Sequence, residues 1–189
     1  RPHDREVMCS KLAPVRFVPG ARHATLDKYL KQATGGDEGF IAFLQRALGY
    51  TLTGDTGAES IFLVLGPGGS GKTTLVEAFK DMLGDYALTA AAKTLLEKRG
   101  EGGHSSDIAR MHGRRMICTS EIAKGKQLDS SLLKSLTGGE RIVARNIWEA
   151  DAEFTPMGKF WLAANDAPGV ADDDSGMWRR IIRVPFTHV

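Results

Sequence analysis

Short apolar runs alternate with amphipathic stretches along most of the chain. Ile61-Phe62-Leu63-Val64-Leu65 is rich in strand formers and predicts a buried strand. The period then changes: Leu75, Val76, Phe79 and Leu83 share one helical face, and Gly84 offers a stop. Ala87-Leu88-Thr89, Arg115-Met116-Ile117-Cys118-Thr119, Lys159–Ala164 and Ile181–Val184 repeat the strand pattern. Helices are expected around Lys93–Lys98, over Asp107–His112 with Ser105 or Ser106 as cap, and over Asp129–Leu136, ending at Gly138-Gly139. Upstream, Leu26, Tyr29 and Leu30 make one apolar helical face. Phe40, Ile41, Leu44 and Leu48 make another, with Gly35-Gly36-Asp37 as the break. Pro2, Pro14 and Pro19 mark residues 1–24 as an extended linker, and Tyr50 to Ser60 reads as a Gly- and Thr-rich connector.

Strands separated by helical segments predict a three-layer α/β fold around a central parallel sheet. One stretch breaks the alternation. Arg141–Trp148 and Asp151–Phe154 read as a hairpin insertion, with Arg141, Val143 and Arg145 on one face and Ile142, Ala144 and Asn146 on the other. The expected organisation is the linker over 1–24, a helical segment over 25–54 and a core over 55–189.

Composition narrows the picture little. A chain of 189 residues makes one domain, or one domain with a small preceding segment, and buries a core without staples. Its formal net charge of +2 gives no global basic field, so any nucleic-acid contact must come from a local patch. The two cysteines, Cys9 and Cys118, fit a reducing compartment, and Cys118 reads as a small buried hydrophobe. No stretch is apolar enough to span a membrane, and Arg1-Pro2-His3-Asp4-Arg5 resembles no signal peptide. A cytoplasmic protein is expected, and the lack of an initiator Met suggests a piece of a longer one. His104, with no Cys or His at metal spacing, reads as a loop residue.

The chemistry is concentrated in Gly66-Pro67-Gly68-Gly69-Ser70-Gly71-Lys72-Thr73, followed by Thr74, which fits the phosphate-loop pattern G-x-x-x-x-G-K-S/T between a strand and a helix. Glycines let successive backbone N–H groups curl around an anion, and the helix start aims its positive end at the same point. Lys72 would reach the β- and γ-phosphates of ATP, and the Thr73 hydroxyl would ligate Mg²⁺. Such a site needs an acidic group near a neighbouring strand end. Glu121, after the run Met116–Thr119, is the candidate, with Ser120 or a water completing the link to Mg²⁺; a solvent-exposed helix-starting Glu is the other use of that position. Asn165 ends an apolar strand at the edge where open α/β sheets bind ligands, and equally starts a turn with Asp166. Arg179 and Arg180, between Trp178 and an apolar strand, are either surface charge or fingers for a neighbouring subunit's nucleotide.

In this order the motifs resemble the superfamily 3 helicase domain of phage and plasmid primase–helicases, a branch of the AAA+ P-loop ATPases. The resemblance runs from about Leu26 to Phe186. It rests on Phe40–Gly54, the phosphate loop, Gly113-Arg114-Arg115-Met116 leading to Ser120-Glu121, Leu133–Glu140, the strand ending at Asn165, and Met177-Trp178-Arg179-Arg180. The loop reads Gly-Ser-Gly-Lys-Thr where the family often has Asn-Gly-Lys-Ser, which keeps the donors and the hydroxyl. The resemblance implies a homo-oligomeric ring, usually a hexamer, with ATP between subunits, single-stranded DNA in the channel and 3′-to-5′ translocation. It implies phosphate and Mg²⁺ contact by Lys72 and Thr73, a catalytic role for Glu121, a sensor in Asn165 and a finger in Arg179 or Arg180. It makes the hairpin Glu140–Phe154 the DNA-gripping loop, and it suggests a primase domain in the same polypeptide and, for a phage protein, the host cytoplasm.

The hairpin suits DNA: Arg141, Arg145 and Asn146 can contact phosphates and Trp148 offers a stacking face, with Lys124, Lys126 and Lys134 adding charge nearby. An ordinary solvated hairpin with a core Trp is the plainer use of the same residues. Two other functions stay open from sequence: a P-loop kinase acting on a small molecule, and an ATP switch at a replication origin that unwinds nothing.

Overall fold

The apolar runs become parallel strands of one sheet. The computed structural model describes residues 6, 9–97, 105–119, 121–145, 152–170 and 174–188; the readings made for Ser120, Asn146, Trp148 and His104 lie outside these. In chain order the elements are α1 (Ala24–Ala33), α2 (Glu38–Thr51), β1 (Ile61–Leu65), α3 (Lys72–Leu83), β2 (Ala87–Ala90), α4 (Ser105–Ala109), β3 (Met116–Thr119), α5 (Ser130–Thr137), β4 (Ile142–Ala144), β5 (Ala152–Phe154), β6 (Lys159–Ala164), α6 (Ser175–Trp178) and β7 (Ile181–Pro185). The sheet order is β2-β3-β6-β1-β7, all parallel. This is the α/β layer architecture that the alternating pattern predicts.

Both sheet faces are covered, as a parallel sheet requires. Ile61, Leu63, Ile117, Phe160 and Leu162 point to one side, where Leu133 and Leu136 of α5 and Met177 of α6 pack. Phe62, Val64, Cys118 and Trp161 point to the other, against Leu75, Val76 and Leu83 of α3, Leu30 and Ala33 of α1, and Leu44 and Ala47 of α2. The period-2 alternation of each strand therefore feeds two cores. Trp161 stacks on Phe62 at 4.4 Å, and its indole N–H donates to Thr51 Oγ1 at 3.1 Å. Burial raises the pKa of the Cys118 thiol, in keeping with a packing role.

Three expectations are corrected, the first being that α4 spans Ser105–Ala109 and not Asp107–His112. Residues 93–97, the described part of Lys93–Lys98, do not form the expected helix: only a 3-10 turn forms, over Ala92–Thr94. Beyond it the backbone runs extended, with Glu97 N donating to Gln127 O and Asp129 N to Leu95 O, both at 2.9 Å. That long-range pairing overrides the local helical preference. The connector also starts later than Tyr50, because α2 continues to Thr51, whose hydroxyl donates back to Ala47 O at 2.8 Å.

The hairpin expected as an insertion is present as antiparallel β4 and β5, with Ile142 opposite Phe154. Ala144 and Phe154 are buried with Ala109 of α4, while Arg141, Val143 and Arg145 face outward. The extended N-terminal segment is tied down in part: Leu12 N donates to Asp85 Oδ2 at 3.1 Å and Asp85 N to Leu12 O at 3.0 Å.

Candidate functional site

The loop after β1 turns back against the end of β7. Phe186 N donates to Leu65 O at 2.6 Å, and a Cβ on Gly66 would stand 1.9 Å from Phe186 O, so only glycine fits there. Gly71, at φ +91°, then delivers the chain into α3. The caps of the helices differ in a telling way. His23, Asp37, Asp129 and Asp174 cap α1, α2, α5 and α6 with side-chain acceptors, but α3 has no side-chain cap. Its first N–H groups and its positive dipole end are therefore left for another acceptor.

Lys72 opens α3 and is buried, with its ammonium turned into the loop. It donates to Gly66 O at 2.6 Å, to Pro67 O at 2.8 Å and to Asn165 Oδ1 at 3.0 Å. Asn165 arrives at the end of β6, one position past Ala164, which pairs with Leu65 of β1. Glu121 is brought to the same edge by Ile122, whose N–H donates to Ala163 O at 3.0 Å and which bridges to Ala164. The loop residues Gly68–Thr74 line a cavity of about 260 Å³ together with Glu121, Ala163 and Asn165. Lys72, Thr73, Glu121 and Asn165, singled out separately in the sequence, thus share one concave site: N–H donors and a cation on one wall, a carboxylate and an amide on the other.

A magnesium ion fits this donor set only in company with phosphate oxygens. No group of three or more His, Cys, Asp or Glu able to hold a metal occurs among the described residues. One carboxylate (Glu121), one hydroxyl (Thr73) and a polyphosphate would suffice for a hard cation that keeps much of its water.

The sequence did not flag Tyr29 of α1 as part of this site. Its hydroxyl donates to Gly71 O at 2.8 Å, and its ring lies 3.1 Å from where a Cβ on Gly71 would stand. Burial pushes its pKa up to about 12, so it stays a neutral donor. Its apolar spacing placed it on a helix face, but nothing local in the sequence pointed to a partner in the loop.

Arg179 and Arg180 stand at the other edge of the sheet. Ile61 N donates to Arg180 O at 2.8 Å, which fixes the pair at the N-terminal end of β1 and β7. The loop Gly66–Gly71 leaves the C-terminal end of β1, five residues on, or about 16 Å at the rise of a strand. The two arginines also differ. Arg180 is buried, donating from Nε to Thr137 Oγ1 at 3.2 Å and from Nη1 to Gly176 O at 2.6 Å, and pairing with Glu59 Oε2 at 2.6 Å. Arg179 is exposed and pairs with the same Glu59 oxygen at 3.0 Å. Glu59 is a second residue that sequence reading missed.

Of the residues expected to meet nucleic acid, Arg141 and Arg145 lie on the outward face of β4 and its end. Arg141 is paired with Glu153 across the hairpin at 3.4 Å. Lys134 is turned away to Asp174, the α6 cap, at 2.9 Å, and that contact holds the Asp174 carboxyl below its usual range. Lys124 pairs with Asp166 at 3.6 Å.

Comparison with known proteins agrees with the fold. Residues 64–180 match DUF5906, a family of unknown function. The chain is 30% identical over 151 residues to a protein of Acanthamoeba polyphaga mimivirus named "Putative helicase L207/L206", covering 79% of this chain and 16% of that protein. Proteins carrying the same kind of name are V13 of Sputnik virophage, 24% identical over 76% of this chain and 19% of its own length, and 121R of Invertebrate iridescent virus 3, 29% identical over 64% and 13%. The chain thus spans less than a fifth of these relatives. Among solved structures, the NrS-1 C-terminal region superposes with a TM-score of 0.66 at 16% identity, covering 95% of this chain and 40% of that one. A JCV helicase structure superposes at 0.51 and 14%, covering 87% and 46%. At these identities the superpositions speak to fold alone.

Proposed function

The chain belongs to the DUF5906 family, and we propose that it is the ATP-hydrolysing motor of a superfamily 3 (AAA+) helicase, moving on single-stranded DNA as a ring of identical protomers. The observation that carries this reading is the division of the machinery between two edges of one sheet. The phosphate loop, Glu121 and Asn165 share one edge, and the arginines share the other, about 16 Å away on the same strand pair. A protomer that used both would have to borrow the second set from a neighbour, which is the arrangement of an interface ATPase.

In this reading the triphosphate lies in the loop with its charge against the α3 N-terminus and the Lys72 ammonium. Lys72 exchanges its present carbonyl partners for phosphate oxygens. Glu121 orients a water and accepts its proton as the water oxygen attacks the γ-phosphorus; the bond from that phosphorus to the bridging oxygen breaks and ADP leaves. Asn165, already within reach of Lys72, reports the state of the γ-phosphate to β6. Thr73 and Glu121 would hold the Mg²⁺ that accompanies ATP, which supplies charge neutralisation on the phosphates. Arg179 of the next protomer stabilises charge on the transferring group. The outward hairpin face, with Arg141 and Arg145, grips the strand by phosphate contact, and Asn146 and Trp148 of the same segment are assigned a further phosphate contact and a stacking face from their chemistry. The long viral relatives make a further domain, such as a primase, a reasonable companion in the full polypeptide.

The direct test is ATP hydrolysis with and without single-stranded DNA, coupled to particle mass. DNA-stimulated turnover by a multi-protomer particle supports the motor. Phosphoryl transfer to a small molecule by a monomer would replace it with a kinase.

A further inference from the structure

Glu59 adopts φ +48°, a left-handed conformation uncommon for a glutamate, in a turn where its N–H donates to Thr56 O at 2.8 Å. Backbone strain of this kind persists where the surroundings over-determine it, and it gathers at working sites. Here the surroundings are two guanidinium groups on one oxygen, Glu59 Oε2, with Arg180 at 2.6 Å and Arg179 at 3.0 Å. Arg180 is anchored to Thr137 of α5 and to Gly176 O of α6, so the carboxylate has a fixed position. Arg179 has a side chain that is 67% exposed.

We propose that Glu59 is a positioning residue: buried Arg180 fixes its carboxylate, and the carboxylate holds the Arg179 guanidinium at the protomer surface, pre-set to meet the nucleotide of a second copy of this chain. This rests on the trans role given to Arg179 above. Two cations share one anion, so the cluster keeps one net positive charge to offer a phosphate. A guanidinium carries five N–H donors in a rigid fork, and the Glu59 contact leaves others free to face outward. Ordering the arginine before the neighbour docks removes a conformational cost from the reacting complex.

The test compares Glu59→Gln, Arg179→Ala and their double variant in DNA-stimulated ATPase assays, and mixes each with Lys72→Ala protomers. Glu59→Gln is expected to lower kcat about 10- to 100-fold with little change in KM for ATP, as a misplaced catalytic group does. The double variant is expected to be no worse than Arg179→Ala alone. Glu59→Gln is also expected to regain turnover when mixed with Lys72→Ala, because each defect then lies on a different side of the interface; a simple loss of protomer stability would give no such rescue. Should Glu59→Gln fold poorly, Glu59→Gly removes the same carboxylate while suiting the backbone, and the same rescue is expected. Wild-type kcat in both Glu59 variants, or losses that multiply in the double variant, overturns the positioning role while leaving Arg179 in place. Wild-type kcat in Arg179→Ala overturns the trans reading itself and this proposal with it.

Discussion

Lys72 and Asn165, 93 residues apart in sequence, are joined by a hydrogen bond of 3.0 Å from the ammonium to the amide oxygen. The bond ties the first turn of α3 to the end of β6. It predicts that the two residues act as a unit. Lys72→Ala should abolish ATP hydrolysis, since the phosphates lose their main cation. Asn165→Ala should lower kcat by about 10²-fold or more while ATP still binds, as removal of one polar group acting on developing charge does. Combining the two should cost no more than Lys72→Ala alone. Steady-state kinetics and nucleotide titrations of the three variants check this, and normal turnover in Lys72→Ala would point to another site.

Glu121 lines the same cavity. Glu121→Gln keeps the shape and removes the base. It should bind ATP with near-normal affinity and fail to turn it over. Equilibrium binding with a fluorescent ATP analogue, beside a phosphate-release assay, separates the two effects.

Tyr29→Phe keeps the ring against Gly71 and removes only the 2.8 Å hydrogen bond to its carbonyl. That carbonyl still accepts from Leu75 N at 3.1 Å, so no acceptor is orphaned. The stability loss should be about 1 kcal/mol or less. KM for ATP should rise about fivefold, the equivalent of 1 kcal/mol in binding. Urea melts and ATP titrations measure the pair of effects.

Lys159 is buried at the start of β6, donating to Thr53 O at 2.5 Å, with its ammonium 4.6 Å from the Tyr50 ring centre. Burial lowers its pKa from 10.5 to about 8, against a raising effect of Asp55. Between those two values the unfolded chain holds a proton that the folded chain has released. Its contribution to stability therefore rises with pH from about 8 towards 10.5. Urea unfolding from about pH 7.5 to about pH 9.5 should show this slope, and Lys159→Met should flatten it. An unchanged slope in the variant would assign it to other groups.

Much of the fold could be read from local pattern because the informative residues are neighbours in sequence. β1, the phosphate loop and α3 form one continuous stretch, and the apolar runs at Met116, Lys159 and Ile181 carry their strand identity in their own composition. Where a partner lies far away, the reading failed. Residues 95–97 look helical alone but pair with 127–129. Tyr29 looked like packing because its loop partner is 42 residues on, and Glu59 carried no signal because Arg179 is 120 residues on. The arginines themselves were visible in sequence. Their unlike surroundings, one buried against Thr137 and one exposed, became visible only in three dimensions.

That contrast separates their variants. Arg180→Ala leaves a buried network without its cation and should cost on the order of 3 kcal/mol of stability. Arg179→Ala should melt like wild type yet lose turnover by about 10³-fold or more, the scale of an arginine finger. Calorimetry and ATPase rates distinguish them.

The most direct test of the account is to mix Arg179→Ala protomers, which have intact phosphate loops, with Lys72→Ala protomers, which have intact arginines, and to measure ATP hydrolysis. Each variant alone should be inactive, and the mixture should recover part of the wild-type rate through junctions that pair a sound loop with a sound Arg179. A mixture that stays inactive while both variants co-assemble would contradict a nucleotide site shared between protomers.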